Sequence, residues 1–180
     1  MAYYAIAPIV CALLQRELYM HLYINQVWDG SDATLDQIRV INSTIPVTGF
    51  GTTVVHDWPV TVGVEANATV VGHARGLHIQ SSHDGVSGWY TSFILMFEDK
   101  SFKGSTLKVM GITPQDGQWS IIGGTGEFVM AQGVIDHKIV KQGISRIYEL
   151  NIHVVYTPMD SSVFECNSWK LGPPQGGIVM

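Results

Sequence analysis

Midway through its second half the chain reads Ile121-Ile-Gly-Gly-Thr-Gly-Glu-Phe-Val-Met-Ala-Gln-Gly-Val134. Three glycines crowd around Thr125, and a strand-like pattern then resumes and closes on Gly133. Glycines so placed predict a tight turn, which needs positive φ or a close backbone approach, followed by a short strand. A phosphate-binding loop would instead need a Lys-Ser/Thr pair opening a helix, and Glu127 and Phe128 stand there. The run therefore indicates a glycine turn in a β-protein.

Composition agrees with this interpretation. The chain has 180 residues, of which 46% are hydrophobic, 14% are charged and 19 are glycine, as in one β-rich domain with many turns. A net charge of −5 without any Lys/Arg cluster argues against nucleic acid as a partner. The histidines lack the spacing or cysteine company of a metal site, and no serine lies in a nucleophile elbow, so we expect no metal, no cofactor and no independent hydrolase. No apolar run is long enough to span a bilayer, so we expect no membrane partner.

Hydrophobic alternation defines the predicted strands. From Leu18 onward the period is two, with Met20, Leu22, Ile24 and Gln26 on one face. Turn signals at 57–59 and 114–117, among others, separate the segments, and Trp119 is expected on a loop. The further predicted strands are 37–41, 51–57, 68–80, 89–97, 105–112, 127–140 and 145–156.

Consecutive antiparallel strands at this spacing indicate a sandwich or a barrel. Short loops from strand to strand favour the barrel, because closing the sheet removes its edges. Periodicity alone leaves the sandwich open.

Four motifs resemble those of plant dirigent proteins over residues 18–157. They are Gly49-Phe-Gly-Thr-Thr-Val-Val-His-Asp-Trp-Pro-Val-Thr61, Val71-Gly-His-Ala-Arg-Gly76, Lys103-Gly-Ser-Thr-Leu-Lys-Val-Met-Gly111 and the Gly-Gly-Thr-Gly run. The resemblance implies an all-β fold, an eight-stranded antiparallel up-and-down β-barrel of the dirigent and allene oxide cyclase type, which binds ligands at one open end. It also implies that the protein is not an enzyme with a redox centre. In this family a separate oxidase makes phenoxy radicals, and the barrel orients them.

Two terminal motifs resemble grass chimeric lectins. Glu17-Leu-Tyr-Met-His-Leu-Tyr23 and Lys170-Leu-Gly-Pro fit proteins in which a dirigent-like domain precedes a jacalin-like lectin domain. The implied organisation is an N-terminal tail over 1–17, the barrel over 18–157, and a linker with the truncated start of the lectin over 158–180. The lectin domain would then be the partner in the full-length protein.

Location and assembly rest on weaker signals. The apolar run near the N-terminus is short and has no basic residue before it, which favours a cytoplasmic protein, with a secreted, apoplastic one as the alternative. Leu77 and Ile79 alternate with a polar pair and are expected to point outward. That apolar exterior and the family resemblance imply a homo-oligomer, a trimer or a dimer.

Departures from the family pattern suggest the ligand. The family's His-Asp pair in the first strand falls on Asn25 and Gln26, its Tyr-x-Tyr pattern on His78 and Gln80, and a frequent arginine on Gln132. Amides thus replace an acid, a phenol and a cation. We expect the barrel mouth to bind a carbohydrate through amides and an aromatic platform. The predicted ligand-binding residues are Gln26, Trp28, Asp57, His78, Gln80, Glu127 and Gln132, and no catalytic residue is predicted.

Alternatives stay open for two of these residues and for the function. Asp57 is also a candidate for capping its own turn, which is the interpretation that its Asp-Trp-Pro context favours, and Glu127 is also a candidate for a solvated charge beside a turn. The expected function is glycan binding in plant defence. One alternative is a scaffold that directs stereoselective coupling of monolignol radicals in lignan biosynthesis, with a small phenolic ligand. The other is a non-binding oligomerisation module for a lectin.

Overall fold

The computed structural model describes residues 15–28, 35–45, 47–85, 88–113, 116–143 and 145–158. The predicted tail before residue 15 and almost all of the predicted linker and lectin start lie outside the described residues. In the described part of the chain, no helix is long and apolar enough to cross a membrane.

Nine antiparallel strands and one short 3₁₀ helix make up the described ranges. In chain order they are β1 (Arg16–Val27), β2 (Gln37–Ile41), β3 (Thr53–Thr61), β4 (Val70–Gln80), β5 (Trp89–Phe97), β6 (Thr106–Ile112), β7 (Asp116–Thr125), the 3₁₀ helix (Gly126–Phe128), β8 (Gln132–Gln142) and β9 (Ser145–Tyr156). The strands follow the order β1-β9-β8-β7-β6-β5-β4-β3-β2. Pairing of Tyr23 with Thr61 and of Ile24 with Val60 joins β1 to β3 and closes the ring.

The closed eight-stranded barrel confirms the predicted fold class, but the strands that form it differ from those predicted. Strand β2 pairs with β3 outside the ring, and β7 takes the eighth place. Trp119, predicted on a loop, lies in β7 and is only 1% exposed. Asp116 and Gly117, part of a predicted turn, begin that strand. Strand β7 was not predicted, because its glycines have no side chains to contribute to the alternation by which a strand is recognised.

The turn predicted at 57–59 is also wrong, since β3 runs on to Thr61. Proline is tolerated in a sheet where its missing N–H would find no partner strand. The N–H of Asp57 donates to Asp36 O at 2.8 Å, and Pro59, two residues on, directs its nitrogen to the same edge. That edge is unpaired at Pro59, because the pairing with β2 ends at His56 and the pairing with β1 starts at Val60.

The glycine run divides differently from the prediction. Gly123 and Gly124 belong to β7, and the turn follows at Gly126, whose φ is +64°. A Cβ atom on Gly124 would lie 2.3 Å from Phe128 O, so the close approach expected of this run is real. The next strand begins at Gln132 and not at Glu127, because the 3₁₀ helix and Met130, at φ 59°, intervene.

Apolar side chains fill the barrel interior. The inward face predicted for β1 is confirmed: Leu22, Ile24 and Gln26 are buried, and Met20 packs against the core. Four rings close the end where β1 begins and β9 ends, and we call them the aromatic plug. The ring centroid of Phe128 lies 4.9 to 5.2 Å from the centroids of the other three rings. The plug consists of Phe97, Phe102, Phe128 and Tyr156.

The outer face of β4 has the predicted direction. Leu77 and Ile79 point away from the interior, because His78 and Gln80 alternate with them and are buried. Association through this face, and the number of subunits, stay predictions.

Candidate functional site

A cavity of about 240 Å³ lies at the barrel end opposite the aromatic plug. Its wall is built where β1 ends, where β3, β5 and β9 begin, and where β4 ends, with β2 lying across one side. The described lining residues are Gln26, Trp28, Gln37, Arg39, Val54, Trp58, His78, Trp89, Thr91, Thr113, Arg146 and Tyr148.

Aromatic rings form much of this wall. Trp58 is 2% exposed and lies parallel to His56, with ring centroids 3.5 Å apart. His78 meets Trp89 edge to face at 5.1 Å. Such contacts fix ring orientation, because each pair contributes about 0.5–1.5 kcal/mol beyond its buried area. The rings therefore present a preformed aromatic surface.

Arg146 brings a positive charge to this surface. Its guanidinium carbon lies 4.9 Å from the Trp28 ring centroid and 5.9 Å from that of Tyr148. One guanidinium nitrogen, Nη1, donates to the Tyr148 hydroxyl at 3.1 Å. Both rings stabilise the cation through their negative faces. Arg39 is the second arginine of the lining.

The ionisable lining differs from that of an acid–base site. Among the described lining residues there is no carboxylate. Burial, together with smaller effects of the neighbouring His56 and Arg146, lowers the pKa of His78 to about 3, so His78 is neutral at pH 7. The cavity therefore combines two guanidinium groups with a neutral imidazole.

A half-buried carboxyl, that of Asp36, lies next to the lining residue Gln37 in the chain. Both oxygens of Asp36 accept the Val27 N–H, at 2.9 and 3.0 Å. Burial raises the pKa of Asp36 to about 7. The side chain faces a hollow on the outer surface between β2 and β3, which also holds Asp57 and His73.

Glutamines on two strands are joined to a tryptophan by hydrogen bonds. Gln26 Nε2 donates to Gln37 Oε1 at 2.8 Å, and Trp58 Nε1 donates to the same oxygen at 3.2 Å. Because an indole N–H can only donate, the Gln37 oxygen must face Trp58. The Gln26 group nearest that oxygen is then its NH₂, which leaves Gln26 Oε1 buried and without a partner.

Three of the seven predicted site residues line the cavity: Gln26, Trp28 and His78. Gln80 follows on the inward face of β4 but is 1% exposed. Its Oε1 accepts the Ser82 N–H at 3.3 Å, so the amide is directed to the chain that follows β4. Gln80 therefore lies near the cavity without belonging to its described lining.

Asp57 and Glu127 lie elsewhere. Asp57 is on the outer face of β3, where both its oxygens accept Arg75 Nε at 3.0 Å. Glu127 is exposed in the 3₁₀ helix beside the aromatic plug, and its N–H donates to Ser105 Oγ at 3.1 Å. Neither carboxylate reaches the cavity.

The grouping of Gln132 with Gln26 is corrected by the strand register. Gln132 pairs with Val155, and Val155 pairs with Glu17 at the start of β1. Gln26 lies nine positions after Glu17 in β1, which is about 30 Å along the strand. Gln132 is thus at the plugged end.

Sequence reasoning missed most of the polar lining, including Gln37, Arg39, Thr91, Thr113 and Arg146. For Arg146 a signal existed, since it shares the inward register of Tyr148 and Leu150 in β9. An arginine on the apolar face of a strand is a candidate ligand contact, because unpaired charges are rarely buried.

No metal site emerges from the described residues. In the described ranges, no three or more His, Cys, Asp or Glu side chains lie close enough together to hold a metal ion.

Comparisons with known proteins place the chain. Residues 18–155 match the family model described as dirigent-like protein. The chain is 30% identical to Dirigent protein 11 of Arabidopsis thaliana over 141 residues, which cover 76% of this chain and 72% of that protein. It is 27% identical to pterocarpan synthase 1 of Glycyrrhiza echinata over 166 residues, 86% of each chain.

Among solved structures, that of the pterocarpan synthase dirigent protein GePTS1 resembles the barrel with a TM-score of 0.74 at 26% identity. The superposed region covers 81% of this chain and 88% of the GePTS1 chain. The resemblance to chimeric lectins stays a prediction. Since the family model spans well over half of the sequence and agrees with the closed barrel, this chain belongs to the dirigent protein family.

Proposed function

We propose that the cavity binds a small phenolic ligand and holds it for a stereoselective reaction whose reactive species a separate oxidase supplies. The observation that carries this proposal is the wall of Trp28, Trp58, Trp89 and Tyr148 around a cavity of about 240 Å³. Ligand cavities typically measure roughly 300–1,000 Å³, so this one suits a single aromatic ring with a short side chain.

The expected carbohydrate has less support. Of the residues expected to bind it, Gln26, His78 and the aromatic platform Trp28 line the cavity, whereas the amides of Gln80 and Gln132 do not. Pterocarpans contain aromatic rings, so similarity to proteins named pterocarpan synthases favours a phenolic ligand instead. The scaffold that orients a phenolic species is therefore the function that the site supports best.

The residues would act by orientation. A ring held against one tryptophan face exposes only its other side, and binding in a fixed geometry lowers the entropy cost of bringing the reactants together. Arg146 and Arg39 stabilise negative charge on a phenolic oxygen. With no carboxylate in the described lining and a neutral His78, we propose that the chain supplies position and charge rather than a proton.

Two measurements test this proposal on the whole chain. Coniferyl alcohol should quench the fluorescence of the lining tryptophans saturably, and Trp89→Ala should weaken binding by about ten-fold, a typical cost of losing an aromatic contact. Tyr19→Ala is the matched control, since Tyr19 is 68% exposed on the outer face.

The second measurement is product handedness. An oxidase with coniferyl alcohol should give unequal enantiomers with the wild-type chain and equal ones with Arg146→Ala, while Lys108→Ala, an outer-face change in β6, keeps the excess. Binding of oligosaccharides but not of phenols would overturn the proposal in favour of the carbohydrate. Binding without an enantiomeric excess would reduce it to a phenolic binding module.

A further inference from the structure

Two residues of the cavity lining each carry a buried polar atom that has no hydrogen-bond partner. They are Gln26 Oε1, which can only accept, and Arg146 Nε, which can only donate. Their residues are directly paired in the register of β1 and β9, and both line the cavity. An unpartnered acceptor and an unpartnered donor therefore belong to two neighbouring residues of the cavity wall.

An unsatisfied buried polar group is costly, typically about 1–3 kcal/mol, so native proteins rarely keep two together without use. Neither atom can be relieved by its fixed surroundings. The NH₂ of Gln26 is held by Gln37, whose oxygen is held by Trp58. The Nη1 of Arg146 is occupied by the Tyr148 hydroxyl.

A hydroxyl group matches this pair, because it donates one hydrogen bond and accepts others. We propose that Gln26 and Arg146 recognise a ligand hydroxyl, which donates to Gln26 Oε1 and accepts from Arg146 Nε. This inference rests on the phenolic ligand proposed above and adds the group by which that ligand is selected. An ether or a bare ring carbon cannot make both bonds.

Binding requires a local movement. Both atoms are shielded from solvent in this structure, so the hydroxyl enters by displacing a side chain. Arg146 is the side chain that moves, since it is less buried than Gln26. Gln26 is 6% exposed and is fixed by its relay, so it provides the stationary half of the pair.

Gln37 and Trp58 act as positioning residues. The Trp58 N–H fixes the orientation of the Gln37 amide, because it donates to the Gln37 oxygen. Without that bond the Gln37 amide can turn over, and Gln26 is then no longer required to present its NH₂ to Gln37 and to keep Oε1 free. Trp58→Phe should therefore reduce hydroxyl selectivity although Trp58 Nε1 contacts no ligand in this scheme.

The test compares coniferyl alcohol with two analogues in which either the phenolic or the side-chain hydroxyl is replaced by hydrogen. For the wild-type chain, we expect one analogue to bind about ten-fold more weakly than the parent, the value of one buried hydrogen-bonded group. Gln26→Leu, close in shape but apolar, and Arg146→Lys, which keeps the charge but lacks Nε, should both abolish that ratio. Lys108→Ala should keep it.

The outcomes separate this inference from the proposed function. If the wild-type chain binds all three compounds equally, the hydroxyl pair is overturned and phenolic binding stands. If it binds none of them, both proposals fail. If Arg146→Lys keeps the ratio, charge and not Nε is responsible, which overturns the pair. The wild-type series decides even if a variant does not fold.

Discussion

The imidazole of His137 lies on the indole of Trp119 inside the barrel, with ring centroids 4.0 Å apart and planes inclined by 27°. His137 is 3% exposed, and neither of its ring nitrogens has a hydrogen-bond partner. Burial lowers its pKa to about 4, against the opposing effect of Asp116 and Asp136. A proton on His137 therefore binds more tightly to the unfolded chain than to the folded one.

This difference predicts acid sensitivity of a definite sign. Stability from a neutral His137 is complete above pH 6.5 and is lost as the pH falls towards 4. His137→Phe keeps the ring stack and removes the titration, so its free energy of unfolding should fall less between pH 7 and pH 4.5. The slope should decrease by at most about 1.4 kcal/mol per pH unit.

Urea unfolding at several pH values measures that slope. His83→Phe, an exposed change, is the control and should follow the wild-type chain. Part of the acid sensitivity should persist, because burial also lowers the pKa of His56 to about 4 and that of His78 to about 3. Identical slopes for His137→Phe and the wild-type chain would mean that His137 gains a partner in solution.

Asp36 should act in the opposite direction. Its pKa is raised to about 7, chiefly by burial, so the folded chain favours the neutral carboxyl and loses stability as the pH rises from 4 through 7. Asp36→Asn stays neutral and keeps an acceptor for the Val27 N–H. Its melting temperature should exceed that of the wild-type chain at pH 8 and approach it at pH 4. For Glu65→Gln, which is exposed in a turn, the melting temperature should follow that of the wild-type chain at both pH values.

Neighbouring glycines offer a test of close packing. A Cβ on Gly124 would lie 2.3 Å from Phe128 O and 2.6 Å from Thr106 O, both backbone atoms that cannot move aside alone. On Gly123 the nearest atom is the flexible Lys108 Cδ, at 3.8 Å. Gly124→Ala should therefore destabilise the barrel by several kcal/mol, about 3 or more by analogy with severe core changes, whereas Gly123→Ala should cost under about 1. Thermal unfolding of the pair decides, and equal costs would contradict the close approach.

Two aliphatic residues compare the interior with the exterior. Leu107 is fully buried in the core, whereas Ile122 is 54% exposed on β7. Leu107→Ala should cost about 2–5 kcal/mol, because it removes buried methyl groups and leaves a cavity. Ile122→Ala should stay within about 0.5 kcal/mol if that face is free. A large loss at Ile122 would show that the chain buries this face against another copy.

The sequence was informative wherever alternation was uninterrupted. In β1 and β9 most alternate residues are large and apolar, with Gln26 and Arg146 as exceptions at the cavity end, so the strands and their inward faces follow directly. Alternation was uninformative where the backbone, through a proline or several glycines, determined the structure more than the pattern of side chains did. Pro59 continues a strand because its nitrogen meets an unpaired edge, and β7 carries glycines that interrupt the pattern around Trp119.

The site was harder to predict than the fold. Matching motif positions identified Gln26 and His78, which belong to it, because these lie on strands whose ends form the cavity. The same procedure included Gln132, since a motif gives the type of residue and not its height along a strand. Only the register through Val155 to Glu17 fixes that height. Gln37 lies in the strand outside the ring, which no alternation pattern assigns to a cavity wall.

The aromatic plug and the cavity occupy opposite ends of one barrel, so the four plug rings support the structure from the far end, while Trp58 and Tyr148 belong both to the core and to the cavity lining. Substitutions at the rim alter which molecule is held while the sealed base continues to support the structure. Under the proposed function, ligand preference can therefore change at this rim by single substitutions, without variants that fail to fold. A barrel so built can change the residues of its rim while its architecture hardly changes.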